Sequence, residues 1–393
     1  MRVRTLGGTG LEVSRLGAGL AAIGEEETFH QIEKVGRVLN AALDGGITFF
    51  DTAACYFDSE EILGQALRGR WGDVTVATKS NMRSPRRFGQ EFEQSFQRMR
   101  TDHIHLYQLH HVQYPHELER LMAPGGACDM LQKARDDGRI GHIGITSHHP
   151  GVLTDALKTG LFDTVQFPFN PIEAPNFQTV METAVELDVG TLGMKALSGG
   201  RLTAVEAALR WVAAHEMRCI LVGCTTIAQL ERDVAALEGD LALSAADREA
   251  MEEEINSLGD LFCRRCRYCE RVCREGIAIS DVFRSHDYLV LNQNYARDEY
   301  AKLAVKAPAC QECGACEKIC PYELPVREML KTADSELSRS RWMDMAVRVL
   351  HKTHTYDITR RAFFRIRGAG ALPQHRYLHR KKDVVRTGTH DED

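Results

Sequence analysis

The stretch of sequence that decides the fold reads Ile47-Thr48-Phe49-Phe50-Asp51-Thr52-Ala53-Ala54-Cys55-Tyr56. It begins as a short apolar run, typical of a buried strand, and it ends in an acid followed by a loop. A strand, the second along the chain, is predicted over Ile47–Asp51. Seven other runs of the same kind predict strands at Leu16–Leu20, Val74–Lys79, Ile104–His110, Ile140–Ser147, Thr164–Phe169, Val189–Lys195 and Cys219–Gly223.

Amphipathic stretches separate these strands and predict helices, for example at Ile32–Leu43, Glu60–Leu67, Met130–Asp137 and Ala204–Ala214. Several of these helices are followed by glycine-containing breaks, as helix ends commonly are. Alternating strands and helices with eight strands predict an α/β fold, a parallel (β/α)₈ TIM barrel. A doubly wound open sheet is the alternative. The count of eight, and the lack of G-x-G-x-x-G after the first strand, favour the barrel.

Three segments are predicted along the chain. The barrel takes residues 1–258, and its last helix begins near Ser244, a candidate N-cap with Asp247 three residues on. A mainly helical, cysteine-rich module takes residues 259–330, and a basic helical tail takes residues 331–393. No internal repeat is expected beyond the alternation of strands and helices.

Composition excludes several classes of function. The 393 residues are 44% hydrophobic and 26% charged, an ordinary globular balance. A net charge of −6 gives no reason to expect nucleic acid as a partner. The N-terminus lacks the apolar core of a signal peptide, and no run reaches the roughly 18 apolar residues of a membrane span. We therefore expect a cytoplasmic protein without a membrane span.

Four polar residues fall at or just after the ends of predicted barrel strands, where the reactive groups of such barrels lie: Asp51, Tyr56, Lys79 and His110. A phenol has a pKa of about 10 and releases its proton near neutral pH only with help. A nearby ammonium favours the phenolate, and a carboxylate holds that ammonium in place. An imidazole can donate to a carbonyl oxygen that is gaining negative charge. Together these groups predict a site for carbonyl reduction, with Tyr56 as the general acid.

These motifs resemble those of the aldo-keto reductase family. The segment 4–17 is similar to the N-terminal hairpin and first strand of the family, and residues 51–56 match its Asp-Thr-Ala-x-x-Tyr motif. Ala77-Thr78-Lys79 and Leu106-Tyr107-Gln108-Leu109-His110 match its lysine and histidine strand ends. The resemblance implies the same four catalytic residues, NADPH or NADH as cofactor, and a small carbonyl substrate.

The resemblance also implies where the nucleotide binds. Ser147 and Gln166 would hold the nicotinamide amide, Lys195 begins the loop over the pyrophosphate, and Gly223 and Thr225 belong to the last phosphate-binding turn. There are departures from the family pattern. His148 replaces an Asn, the segment 223–229 has no basic residue, and Asp233 stands where an Asn usually meets the adenine. The choice between NADH and NADPH therefore stays open.

Eight of the 12 cysteines form two runs of the pattern C-x₂-C-x₂-C-x₃-C. In such a run three thiolates bind one 4Fe–4S cluster and the fourth serves the other cluster. Zinc sites, the alternative, usually use two separated C-x₂-C pairs. We therefore predict two clusters, one held by Cys263, Cys266, Cys269 and Cys320, and the other by Cys310, Cys313, Cys316 and Cys273. The whole chain is similar to the iron–sulfur branch of the aldo-keto reductases, with a C-terminal ferredoxin-like domain.

The predicted function is NAD(P)-dependent hydride transfer between a carbonyl and an alcohol, coupled to electron transfer through the clusters. Hydride carries two electrons and each cluster passes one, so a flavin could bridge them, although no flavin fingerprint is found. The clusters could instead be structural or act as sensors, or the barrel could shelter another cofactor. The alternative function is a non-catalytic, nucleotide-binding electron-transfer or regulatory subunit.

The tail carries an apolar helical stripe formed by Trp342, Met345, Ala346, Val349 and Leu350. It is expected to dock on the chain itself, and a dimer or partner helix is the alternative. The basic stretch that follows is interpreted as a solvated end, with an acidic redox protein as the alternative partner. The sequence does not decide the oligomeric state.

Overall fold

The computed structural model of the protein describes residues 1–21, 32–223, 225–257, 262–290 and 293–339. The chain divides into two units, Met1–Gly259 and Asp260–Asp393. The predicted tail beyond residue 339, with its apolar stripe, lies outside the described residues.

Eight parallel strands close the first unit into a barrel, in which each strand pairs with the next along the chain and the last pairs with the first. These strands, labelled β3 to β10, are Leu16–Gly19, Phe49–Asp51, Thr75–Ser80, Ile104–Leu109, Ile140–Thr146, Thr164–Pro168, Gly190–Met194 and Cys219–Val222. All eight predicted strands are confirmed, with ends that differ by a few residues. The alternative of an open sheet is wrong, because β10 hydrogen-bonds to β3.

A two-stranded antiparallel hairpin precedes the barrel, formed by β1 (Val3–Thr5) and β2 (Glu12–Ser14). Two of its apolar residues, Leu6 and Val13, are fully buried. They pack with Phe49, Ala77 and Leu106 in a small apolar cluster of the first unit. Because side chains alternate along a strand, Asp51, Lys79 and Gln108 point to the same side as these three residues, two positions nearer the carboxyl ends. The barrel interior thus changes from apolar to polar toward that end.

The helices of the first unit supply the outer layer of apolar side chains, which pack with the strands in one large buried cluster. Labelled α1 to α10, they are Ile32–Asp44, Ser59–Ala66, Pro85–Met99, Pro115–Met122, Ala127–Asp136, Pro150–Leu157, Ala174–Glu186, Val205–Ala213, Ile227–Glu238 and Ala245–Ser257. The predicted cap of the last helix is confirmed. The Asp247 amide donates to Ser244 Oγ at 3.0 Å, and the Ser244 amide donates back to Asp247 Oδ2 at 3.0 Å.

The second unit is mainly helical and has its own apolar core, which includes Val282, Phe283, Tyr300 and Leu330. Its α-helices, α11 to α15, are Tyr268–Arg271, Ile279–Asp287, Gln293–Lys302, Ala315–Lys318 and Val326–Leu337. Short 3₁₀ turns lie at Tyr288–Val290 and Ala307–Ala309.

The expectation that the chain has no further internal repeat is wrong for the second unit. Within each cysteine run, a glutamate of the short helix accepts a backbone hydrogen bond from the start of the following long helix. Ser280 N lies 2.8 Å from Glu270 Oε1, and Arg327 N lies 2.9 Å from Glu317 Oε1. The two cysteine runs are therefore built on one repeated local structure, α11–α12 and α14–α15.

None of the helices in the described ranges is both long and apolar enough to cross a membrane.

Candidate active site and cluster-binding residues

The residues predicted to act in catalysis come from neighbouring barrel strands and lie at one end of the barrel. Asp51 ends β4, Lys79 lies in β5, and His110 directly follows β6. Tyr56 lies in the loop between β4 and α2. Because the strands are parallel, their carboxyl ends form a single rim, which brings residues distant in sequence together.

A buried ion pair forms the inner part of this site. Lys79 Nζ lies 2.7 Å from Asp51 Oδ2 and 2.6 Å from the carbonyl oxygen of Thr52. Burial raises the pKa of the Asp51 carboxyl, whereas the charge and hydrogen bond of Lys79 act to lower it. The ammonium is what compensates for placing this carboxylate inside the barrel.

The phenol of Tyr56 lies between this ion pair and His110. Lys79 Nζ is 5.1 Å from the centroid of the Tyr56 ring. The Tyr56 hydroxyl is 3.4 Å from His110 Nε2, and the two rings meet edge to face with centroids 5.5 Å apart. Both side chains are half-buried. A phenol, an ammonium, a carboxylate and an imidazole therefore share one site, and groups of these types can transfer a proton.

Two glutamines extend the polar network across the barrel. Gln108 Nε2 donates to Gln166 Oε1 at 2.9 Å and lies 3.3 Å from Asp51 Oδ1. Gln166 Nε2 in turn lies 3.3 Å from Asp51 Oδ2. Gln166 is thus bonded to the ion pair as well as lying where the sequence predicts a contact to nicotinamide. Gln108 was not among the predicted site residues, although its alternation with Tyr107 and Leu109 in β6 places it inside the barrel.

The loop that carries His110 is held from its backbone. Arg83 Nη2 donates to the carbonyl oxygens of His110 at 2.9 Å and His111 at 2.8 Å, and Arg83 Nε donates to Glu117 Oε1 at 3.1 Å. His111 has a φ of 56°, a left-handed conformation that is unusual for a residue with a side chain. Strain of this kind clusters at functional sites, and here Arg83 helps to stabilise it.

The predicted nicotinamide contacts lie along the same rim. Ser147 follows β7, and its hydroxyl accepts from the amide of His149 at 2.8 Å. Lys195 follows β9 with a φ of 57°, and its carbonyl oxygen accepts from Asn170 Nδ2 at 3.0 Å. Gln108 Oε1 is buried and has no hydrogen-bond partner among the residues the structure describes. One amide oxygen of the polar network is therefore left without a donor within the described residues.

The predicted phosphate-binding turn lies before the N-terminus of α9. Gly223 follows β10, and the Thr225 amide donates to Gln229 Oε1 at 3.0 Å. Thr226 caps the helix by accepting from the Gln229 amide at 3.2 Å. A capped helix N-terminus attracts an anion, so this end of α9 fits a phosphate group.

A basic residue that the sequence reasoning overlooked lies further along α9. Arg232 Nε and Nη2 both contact Oδ1 of the buried Asp233, at 2.9 and 2.8 Å. Arg232 lies beyond the segment 223–229, in which the family pattern places its basic residues.

In the second unit, one pocket brings together the four cysteines that were assigned to a single cluster: Cys263, Cys266, Cys269 and Cys320. Three of them come from the first cysteine run and the fourth comes from the second run, in the exchange that two-cluster ferredoxins show. Apolar and aromatic side chains, including Phe283, Tyr322 and Leu324, complete the lining.

The other four predicted ligands are Cys310, Cys313, Cys316 and Cys273. The second cysteine run repeats a backbone-to-sulfur contact of the first run. The Glu312 amide donates to Cys310 Sγ at 3.4 Å, as the Arg265 amide does to Cys263 Sγ at 3.4 Å. Cys273 and Cys310 both pack against the apolar core of the unit. Cys313 is exposed.

The chemistry of these sulfur groups fits an iron–sulfur centre. Burial raises the pKa of Cys263 to about 12 and also raises the pKa of Cys269 and Cys316. Such thiols become thiolates only when a metal stabilises the negative charge. Within the described ranges, no three His, Cys, Asp or Glu side chains are grouped closely enough to bind a single metal ion.

The fold and these sites define a parallel β/α barrel followed by a cysteine-rich helical module. Residues 15–207 match the model of the Aldo/keto reductase family, and residues 262–325 match that of a 4Fe-4S dicluster domain. The chain therefore carries a domain of the aldo/keto reductase family followed by a 4Fe-4S dicluster domain. The family fold implies a nicotinamide cofactor.

Similar proteins agree with this family. The aldo-keto reductase YhdN of Bacillus subtilis (strain 168) is 31% identical over 218 residues, which cover 52% of this chain and 64% of YhdN. The uncharacterized oxidoreductase YqkF of the same organism is 28% identical over 184 residues, 43% of this chain and 56% of YqkF. The chain thus spans less than two thirds of either relative. The solved structure of PA4992 from Pseudomonas aeruginosa matches with a TM-score of 0.53 and 28% identity, covering 60% of this chain and 93% of that one.

Proposed function

We propose that the barrel is an NAD(P)-dependent oxidoreductase that interconverts a small carbonyl compound and its alcohol. The observation that carries this proposal is the contact between the Tyr56 hydroxyl and His110 Nε2, at 3.4 Å, beside the buried Lys79–Asp51 pair. A proton donor, a hydrogen-bond donor to oxygen and a fixed positive charge then meet at one point, as carbonyl reduction requires.

The four side chains have distinct roles in this proposal. In the direction of reduction, Tyr56 gives its hydroxyl proton to the oxygen that becomes the alcohol. His110 donates a hydrogen bond from Nε2 to that same oxygen and orients it. Lys79 stabilises the negative charge that remains on the Tyr56 oxygen, and Asp51 keeps the ammonium in place. In the direction of oxidation, Tyr56 takes the proton back.

The nucleotide is held along the rim. Ser147 and Gln166 would bind the nicotinamide amide, and Lys195, Gly223 and Thr225 would line the phosphates. When bound, the nicotinamide supplies or accepts the hydride. Arg232 offers a positive charge in the middle of α9, but its guanidinium is bonded to Asp233. Both NADH and NADPH therefore belong in the test.

The second unit is proposed to hold two 4Fe–4S clusters. Cys263, Cys266, Cys269 and Cys320 would bind one, and Cys310, Cys313, Cys316 and Cys273 the other. We propose that these clusters exchange single electrons with a redox partner and couple that exchange to the barrel. Because hydride transfer moves two electrons and a cluster passes one, the coupling needs a centre that can do both, such as a flavin. The proposed segments are 1–258 for the barrel, 259–330 for the cluster module and 331–393 for the tail.

The test uses the full chain purified without oxygen, with its iron content measured first. NADH or NADPH is added with and without an aromatic aldehyde such as 4-nitrobenzaldehyde, while nucleotide oxidation and the visible absorbance of the clusters are followed together. Aldehyde-dependent oxidation together with cluster reduction supports the whole proposal. Oxidation with unchanged clusters supports the reductase alone and contradicts the coupling. Neither change, with nucleotide still bound, supports a non-catalytic nucleotide-binding subunit.

A further inference from the structure

The two ring nitrogens of His110 contact two consecutive residues of one loop. Cys55 Sγ lies 3.3 Å from Nδ1, and the Tyr56 hydroxyl lies 3.4 Å from Nε2. Cys55 is half-buried, like the two rings beside it. The loop after β4 therefore contacts both hydrogen-bonding positions of the imidazole, and Cys55 contacts the one that faces away from Tyr56.

This contact bears on the proton of the ring. A neutral imidazole carries one N–H, and the other nitrogen is an acceptor. Which nitrogen keeps the proton is set by the hydrogen bond that the other nitrogen makes. If the Cys55 thiol donates to Nδ1, then Nδ1 is the acceptor and the proton is on Nε2. Nε2 is the nitrogen beside the Tyr56 hydroxyl, where a substrate oxygen must receive a hydrogen bond.

We propose that Cys55 is a positioning residue that holds His110 in the tautomer with its proton on Nε2, so that His110 can donate to the substrate oxygen. This inference rests on the proposed function, and it assigns a role to a residue that the resemblance leaves unassigned. The backbone of His110 is held separately, by Arg83 Nη2 at 2.9 Å from its carbonyl oxygen. Arg83 fixes the position of the residue, and the thiol sets the protonation of its ring.

The kinetic test compares three variants. Cys55→Ala removes the donor, Cys55→Ser keeps one, and Cys128→Ala removes a buried thiol from α5, elsewhere in the barrel. We expect Cys55→Ala to lower kcat for aldehyde reduction about three- to tenfold, the effect of losing one neutral hydrogen bond, with KM for the nucleotide unchanged. Cys55→Ser should restore most of the rate, and Cys128→Ala should keep it. A Cys55→Ala variant as fast as wild type would overturn the proposal.

The second readout does not depend on turnover. Nitrogen-15 NMR of protein labelled at histidine distinguishes the two tautomers, and a His110→Gln variant assigns the signals of this ring. We expect a neutral ring with the proton on Nε2 in the wild type, and loss of that preference in Cys55→Ala. A proton on Nδ1 in the wild type, or a thiolate beside a doubly protonated ring, would contradict the inference. If Tyr56→Phe retained full activity, the proposed function would fail, but the NMR result would still decide the role of Cys55.

Discussion

The ammonium nitrogen of Lys79 lies 2.7 Å from a carboxylate oxygen of Asp51, and the Lys79 side chain is fully buried. Two opposite charges are therefore enclosed together in the barrel, next to the phenol of Tyr56. A buried pair of this kind is costly to form and adds little net stability compared with apolar residues of similar size. Its value here is the fixed charge that it places beside the phenol.

Replacing only one partner of the Lys79–Asp51 pair should destabilise the barrel more than replacing both charged residues. Lys79→Met leaves Asp51 buried without its partner, and we expect a loss of about 3–5 kcal/mol in the free energy of unfolding. The double variant Asp51→Asn with Lys79→Met leaves no charge to bury, so it should recover much of that loss while staying inactive. Urea unfolding followed by tryptophan fluorescence measures the stability, and aldehyde reduction measures the activity. A double variant that is less stable than Lys79→Met would refute this account of the pair.

The assignment of cysteines to clusters predicts which variants share a defect. Cys320→Ala removes a ligand from the pocket formed by the first cysteine run, so the iron content should fall from about eight to about four per chain. Cys263→Ala should give the same loss and the same spectrum of the remaining cluster. Cys128→Ala, which changes a cysteine outside both runs, should retain all the iron. Iron analysis and electron paramagnetic resonance of the reduced proteins compare them, and unlike spectra for Cys320→Ala and Cys263→Ala would show the grouping to be wrong.

His105 should make the barrel sensitive to acid. Burial lowers the pKa of His105 to about 4, with His103 and His142 adding to the effect, and its Nδ1 accepts a hydrogen bond from the Val76 amide. Between about pH 6.5 and that value, the unfolded chain binds a proton that the folded chain does not, so stability falls as the pH decreases. We expect a loss of about 2 kcal/mol from pH 7 to pH 5.

The control variant His105→Asn keeps an acceptor for the Val76 amide but does not take up a proton in this pH range. His105→Asn should show a smaller loss of stability from pH 7 to pH 5, whereas the exposed His116→Asn should match the wild type. Equal pH dependence in all three proteins would mean that other groups cause the acid sensitivity.

Gly144 should be required for the placement of the buried glutamines. A Cβ atom at this position would lie 2.4 Å from Thr164 Oγ1 and 2.9 Å from Gln108 Cγ, too close for either group to stay in place. We expect Gly144→Ala to cost about 1–3 kcal/mol in stability, as overpacking does, and to raise KM for the nucleotide because Gln166 is bonded to Gln108. Gly72→Ala is the matched control, because its Cβ would meet no atom within 4 Å. If KM for the nucleotide were unchanged in Gly144→Ala, the placement of Gln108 would have no effect on nucleotide binding.

Much of the fold was predictable because its signals are local. Each barrel strand is a short apolar run, and Ser244 with Asp247 forms a cap that can be read three residues apart. The positions of Asp51, Lys79 and His110 were also predictable, because parallel strands bring their carboxyl ends to one rim.

The remaining features depend on contacts between side chains that no local pattern carries. The Cys55–His110 contact needs the conformation of the loop after β4, and the Gln108–Gln166 bond needs the register of three strands. The repeat in the second unit did leave a signal. When the two cysteine runs are aligned, Glu270 stands opposite Glu317. The reason for this shared glutamate is visible only in the structure, where each side chain accepts a hydrogen bond from a backbone amide of the following helix.

The most direct test of the central claim measures one turnover of wild type and Tyr56→Phe with bound nucleotide and excess 4-nitrobenzaldehyde, after confirming that both proteins bind the nucleotide and contain the same iron. We expect Tyr56→Phe to transfer hydride at least about 100-fold more slowly, the contribution expected of a general acid. Equal rates in the two proteins would contradict the role of Tyr56 and the proposed function of the barrel.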